Sequence, residues 1–203
     1  MRSRILVLFA HPAFEKSRVH RELVKKVKQL TGITFHDLYE EYPELEINVA
    51  KEQNLLLEHD IIVFQHPFYW YSAPAMIKQW MDLVLEHGWA YGKNGNALQG
   101  KQLLSVISAG GPREVYAATG RNRYTIQEFL RPFEQTALLC KMNYLPPFVI
   151  HGTHKMVLHE MKQAALQYEG LLLAFHHGLL SQEELSRVDY LNDLNPIPEA
   201  LKD

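Results

Sequence analysis

Three short stretches of the chain combine residue types that an ordinary turn does not need. The first runs Ala10-His11-Pro12-Ala13-Phe14-Glu15-Lys16-Ser17-Arg18-Val19-His20, out of an apolar run and into a helical pattern. A helix amino terminus capped by Ser17 offers free amides, a hydroxyl and the positive end of the helix dipole. Together these suit a phosphate, with His11 and Arg18 as further donors. The same residues also serve as a plain N-cap and a strand end. The second stretch, His66-Pro67-Phe68-Tyr69-Trp70-Tyr71-Ser72-Ala73-Pro74, sets four aromatics in succession where polar turn residues are the rule. Flat side chains beside backbone amides suit a planar ligand, and a hydrophobic subunit contact is the competing reading. The third, Ser108-Ala109-Gly110-Gly111-Pro112 with Tyr116 following, pairs two glycines directly after an apolar run. Such a pair lets backbone approach a ligand closely, or simply turns the chain.

The elements that must position these loops alternate from end to end. Ile5–Ala10, Ile33–Leu38, Ile61–Gln65, Leu103–Ala109 and Phe148–Ile150 read as five strands, and the continuous apolar ones as strands covered on both faces. Helical spacing predicts helices over Ser17–Leu30, over Asn48–His59 with Asn48 as cap, and from Ser72-Ala73-Pro74 to about His87. Further helices are expected over Ile126–Thr136, with a kink at Pro132, and over Leu158–His177, stopped by Gly178. This alternation predicts an α/β fold, a doubly wound five-stranded parallel sheet in the order 2-1-3-4-5. Ligands of such sheets bind outside the carboxyl ends of the strands, so the loops after strands one, three and four are the ones expected to carry function. Residues 1–180 form the expected domain. Residues 181–203, polar and holding Pro196 and Pro198, read as a tail on the surface or on a partner.

Composition narrows the classes. A chain of 203 residues with 47% hydrophobic content is the size of one domain and needs no metal or disulfide to build a core. With 21 basic and 23 acidic residues the formal charge is −2, which excludes nucleic-acid binding by bulk electrostatics. Six apolar residues, Ile5 to Ala10, are too few for a signal core or a membrane span. The single cysteine, Cys140, permits no internal disulfide, which fits a reducing cytoplasm, and reads as an inert core thiol. Eleven histidines invite a metal site. His176 and His177 are adjacent on a helix, however, and His151 and His154 lack a matching carboxylate, so no metal is expected.

The three loops, in order and spacing, resemble the flavodoxin-like NAD(P)H:quinone oxidoreductase family. The stretches His87-Gly88-Trp89-Ala90-Tyr91-Gly92 and Leu145-Pro146-Pro147-Phe148 are similar to the branch formed by ancillary oxidoreductases of glutathione-regulated potassium-efflux systems. The resemblance covers residues 4 to about 177. It implies a bound flavin, FMN ahead of FAD, with its phosphate at His11, Ser17, Arg18, Val19 and His20, where members usually carry Asn at the position of His20. It places the ring on Pro67, Phe68, Tyr69, Trp70 and Tyr71, and the pyrimidine edge on Ser108, Ala109, Gly110 and Gly111. Tyr116 matches a Tyr that buffers charge on the flavin, whereas Asn122 stands where a partnering His would be. The implied activity is hydride transfer from NAD(P)H to flavin and then to a quinone, by a cytoplasmic homodimer whose sites lie at the subunit contact. The branch also implies docking to the cytoplasmic side of a potassium-efflux antiporter. From a different class, it implies a flavin-bound regulatory subunit of that antiporter with little turnover.

Overall fold

The computed structural model describes residues 2–194. Five strand positions build one parallel sheet. β1 (Ile5–Phe9), β2 (Ile33–Asp37), β3 (Ile61–Pro67) and β4 (Gln102–Ser108) are followed by two short pieces, β5 (Asn143–Tyr144) and β6 (Phe148–Ile150), that share the far edge beside β4. The order is β2-β1-β3-β4-β5, as the alternation predicts. The divided edge was not expected. Between the two pieces the register against β4 slips by one residue, at Leu145-Pro146-Pro147. Prolines cannot donate to the ladder, so the edge strand bulges there and resumes.

Helices cover both faces. α1 (Arg18–Val27) and α7 (Leu158–His176) pack with Ile5, Val7, Val63, Leu104 and Val106 on one face. The other face of the same strands, with Leu6, Leu8, Ile62, Phe64 and Ile107, meets α3 (Val49–Glu58), α4 (Ala75–Val84) and α6 (Arg131–Leu139). A single turn, α2 (Leu38–Glu41), follows β2. Alternate residues of a buried strand thus feed two cores, which is why these runs read as unbroken apolar sequence.

Several expected boundaries move for identifiable reasons. Asn48 caps α3 through the Lys51 amide, as its side chain suggests. β3 runs on to Pro67, so His66 and Pro67 are strand residues. The expected kink at Pro132 is a break instead. α5 (Ile126–Phe129), capped by Thr125 and Glu128, ends at Leu130, and α6 restarts with Pro132 in its first turn. Proline lacks only an amide that a first turn leaves free anyway.

The reading of residues from 181 onward as a surface tail is corrected over its described part. Ser181 and Glu184 form a capping box for α8 (Gln182–Ser186), and Leu185, Tyr190 and Leu191 are buried. The apolar residues are too sparse to show a period, so composition alone hid them. Pro196 and Pro198 lie outside the described residues.

Candidate functional site

Parallel strands direct all their carboxyl ends to one edge, and a cavity of about 410 Å³ opens there. Its floor comes from the first loop. Ser17 is the N-cap of α1, and its Oγ accepts from the amide of His20 at 3.2 Å. The amides of Arg18 and Val19 precede the first intrahelical bond and are free of helical partners, the arrangement that suits an anion. Lys16, Ser17, Arg18 and Val19 line the cavity. The Arg18 guanidinium is anchored by the Met156 carbonyl at 3.1 Å, which sets it at the cavity rim.

The two histidines of this loop behave differently. His11 lines the cavity and accepts from the Ala13 amide through Nδ1, and desolvation lowers its pKa. His20 does not line it. Its ring is fully buried, 2.9 Å from Ser108 Oγ, and burial first, then the neighbouring His11 and His66, hold its pKa well below the usual value. Its role here is to tie α1 to the end of β4, which supports the cavity from beneath.

The second loop forms a wall through Pro67, Phe68 and Tyr69. Trp70 and Tyr71 both adopt positive φ, 50° and 63°. Bulky residues rarely do so, and such strain costs on the order of 1–3 kcal/mol per residue. The turn is held by the Ser72 amide on the Tyr69 carbonyl and by Tyr71 stacking on Phe129 at 5.0 Å. The result throws Trp70 outward, 93% exposed.

The third loop supplies a wall with no side chains of its own at its two glycines. A β-carbon built on Gly110 would meet the ring of His154, and one on Gly111 would fall 2.7 Å from Val115 Cγ2 and 3.3 Å from the Tyr116 ring. Gly110 borders the main cavity together with Ser108, whereas Ala109 is buried and bonds the Ile150 carbonyl. A second cavity of about 310 Å³ continues past Gly110 and is lined by Gly111, Trp70, Tyr71, Tyr116, Arg121 and Asn122. Burial raises the Tyr116 pKa, so its phenol stays a neutral donor.

Two lining residues come from a loop that sequence reasoning passed over. Thr153 and His154 follow β6 and close the main cavity, and His154 borders both cavities. Their position at the carboxyl end of the last strand was the available signal. Weighing the histidines only as metal ligands obscured it. Among the described residues no group of three or more His, Cys, Asp or Glu side chains is placed to hold a metal, and no helix is long and apolar enough to cross a membrane. Cys140, at the end of α6, is buried, and burial pushes its thiol pKa up.

A parallel sheet in the order 2-1-3-4-5 with helices on both faces, and a cavity at its carboxyl edge, define a flavodoxin-type α/β protein. The chain belongs to the family described as having a flavodoxin-like fold, whose model matches residues 3–172. It is 48% identical, over 153 residues, to the glutathione-regulated potassium-efflux system ancillary protein KefG of Pectobacterium atrosepticum, covering 75% of this chain and 84% of that one. General stress protein 14 of Treponema denticola, solved in complex with FMN, aligns with a TM-score of 0.81 at 41% identity, covering 85% and 99% of the two chains. An NADPH-quinone reductase from P. pentosaceus aligns with a TM-score of 0.76 at 34% identity, covering 83% and 97%.

Proposed function

We propose that the protein is an FMN-dependent NAD(P)H:quinone oxidoreductase. The observation that carries this is the continuity of the cavity. A phosphate seat at Ser17, Arg18 and Val19 opens directly onto a slot between Phe68, Tyr69 and Gly110. The residues fit the group, because the helix terminus, the aromatic wall of Phe68 and Tyr69, and Gly110, which adds no side chain, line one continuous cavity. When bound, the flavin supplies the ring that accepts a hydride from the nicotinamide and passes reducing equivalents to the acceptor. The chain does the rest. The α1 terminus with Lys16 and Arg18 fixes the phosphate, and the aromatic wall orients the ring. The glycine pair and Tyr116 present neutral hydrogen-bond donors to charge developing at the ring edge, without reorganising. A homodimer that covers the exposed Trp70 would complete the space over the ring. The absorption spectrum and mass of the ligand released from purified protein test the cofactor. Steady-state quinone reduction tests the reaction.

Likeness to KefG favours a second role, as an activator on the cytoplasmic side of a potassium-efflux antiporter. Potassium efflux measured with a variant that keeps flavin but does not turn over separates the two roles. Retained activation makes the protein a flavin-bound regulatory subunit, and lost activation ties efflux to catalysis.

A further inference from the structure

The family model ends at residue 172, and the segment beyond it folds back over the loop that carries Tyr116. The Arg113 guanidinium meets the Asp193 carboxylate through two bonds of 2.9 and 2.8 Å and lies 4.3 Å over the Tyr190 ring. Tyr190 is buried and donates to Gln127 Oε1 at 2.8 Å, while Gln127 Nε2 donates to the Asp189 carbonyl. Asn192 Oδ1 accepts from the Val149 amide of β6, so the segment is registered on the sheet itself.

The contacts close into a circuit. Tyr190 lies 5.9 Å from the His151 ring, His151 lies 5.7 Å from the Tyr116 ring, and the Tyr116 amide bonds the Arg113 carbonyl at 3.0 Å. Both nitrogens of His151 are buried without a partner, so the imidazole serves as a spacer between two phenol rings. Arg113 begins the single helical turn Arg113–Val115 that leads into Tyr116. Fixing its side chain therefore fixes where that turn sits above Gly111.

We propose that residues 189–193 act as a strap, with Arg113, Tyr190 and Asp193 as positioning residues that hold Tyr116 at the flavin edge through His151. This rests on the reading of Tyr116 given above. A bidentate guanidinium–carboxylate pair fixes orientation as well as distance, and stacking on an aromatic face adds a second constraint. A loop so restrained keeps its donor preorganised.

The test uses the full chain. In FMN-loaded protein, Asp193→Ala is expected to lower the limiting rate of flavin reduction 3- to 10-fold, with FMN affinity within 2-fold of the parent. The charge swap Arg113→Asp/Asp193→Arg should recover part of that rate, because it restores the ion pair but not the guanidinium stack on Tyr190. In a Tyr116→Phe background Asp193→Ala should have no further effect. In the flavin-free protein, amide hydrogen exchange over residues 111–122 should speed up in Asp193→Ala and slow again in the swap. An equal loss in the Tyr116→Phe background, or unchanged exchange, overturns the strap. If Tyr116→Phe alone leaves the rate untouched while the exchange result holds, the strap orders the loop but the assigned role of Tyr116 fails.

Discussion

Replacing Gly110 probes the cavity most directly. Its φ lies outside the positive region, so a β-carbon there costs no backbone strain. Space is what it lacks. The added carbon would fall 2.6 Å from His154 Cδ2 and closer still to Nε2, whereas carbon atoms pack at about 3.5–4.0 Å. The imidazole must therefore swing by about an ångström, and the open space beside it is the pair of cavities it already borders. In flavin-free protein that movement disturbs no core, so Gly110→Ala should keep its Tm within about 2 °C. With flavin present the displaced ring competes for the same volume. An off-rotamer imidazole costs about 0.5–1.5 kcal/mol and a lost edge hydrogen bond about 1 kcal/mol. The sum, near 2 kcal/mol, is roughly a 30-fold weaker FMN affinity. Gly110→Val should lose its yellow colour on purification. In Gly110→Ala/His154→Ala the obstructing ring is gone, and affinity should recover at least ~10-fold. Titration of flavin-free protein with FMN, read by fluorescence quenching, measures all three. Binding within 2-fold of the parent in Gly110→Ala would show that the ring edge is not at this loop. A double variant that fails to recover would show that His154 is not the obstacle.

Other outcomes follow from the same geometry. Tyr116→Phe should slow stopped-flow flavin reduction by roughly 3- to 30-fold, about 0.7–2 kcal/mol, with Asn122→Ala costing less, and the reverse order would reassign the donor. Buried Glu52 accepts from His36 Nε2, Tyr42 Oη and Trp80 Nε1 at 2.9, 2.6 and 2.8 Å, joining β2, α3 and α4. Glu52→Ala should therefore lower urea stability by about 3–5 kcal/mol. Desolvation depresses the pKa of buried His66 to about 4. Below its unfolded value of about 6.5 the unfolded chain binds a proton that the folded chain refuses, so this stability is full above that pH and falls toward pH 4. The His66 share of the loss by pH 5 should be roughly 2 kcal/mol, so stability of His66→Asn should fall by about that much less than the parent's between pH 7 and 5. Trp70→Asp should shift a sedimenting dimer toward monomer at micromolar concentration, and an unshifted dimer would place the subunit contact elsewhere.

The sheet was legible because burial on both faces writes itself into sequence as unbroken apolar runs such as Ile5–Phe9 and Ile61–Phe64. The divided edge was not, because a two-residue piece at Asn143–Tyr144 carries no period and the prolines beside it argue against a strand. At the site, residue types on the first three loops marked where the cavity lies. They did not reveal direction. Nothing in the sequence says that the ring of His20 turns inward to Ser108 while its amide bonds the Ser17 hydroxyl. Nor does it say that Trp70 faces solvent beside buried Phe68, since that depends on the positive φ of Trp70 and Tyr71, which only the turn imposes. The strap was hidden for a different reason. Its contacts are an ion pair, a stacked guanidinium and amide hydrogen bonds between positions 43 to 80 residues apart, which leave no apolar pattern.

The abundance of histidine around the site takes on a meaning that composition could not give it. Desolvation depresses His11, His20, His66 and His151, the last two to about 4, so all four are neutral at pH 7. Neutral imidazole is compact and planar and presents a donor and an acceptor, which suits packing between aromatic rings and hydroxyls. Permanent positive charge at the main cavity comes from Lys16 and Arg18, beside the positive end of the α1 dipole, where the phosphate is proposed to sit. Of the four neutral histidines only His11 lines that cavity, beside Lys16 and Arg18 on the same loop, and the others are packed behind it or beside Tyr116. None of these four histidines changes charge between pH 7 and 8. Over that range affinity for a phosphate ester should follow the ligand's own ionisation, whose second step lies near pH 6, and should weaken with salt as pairing to lysine and arginine is screened.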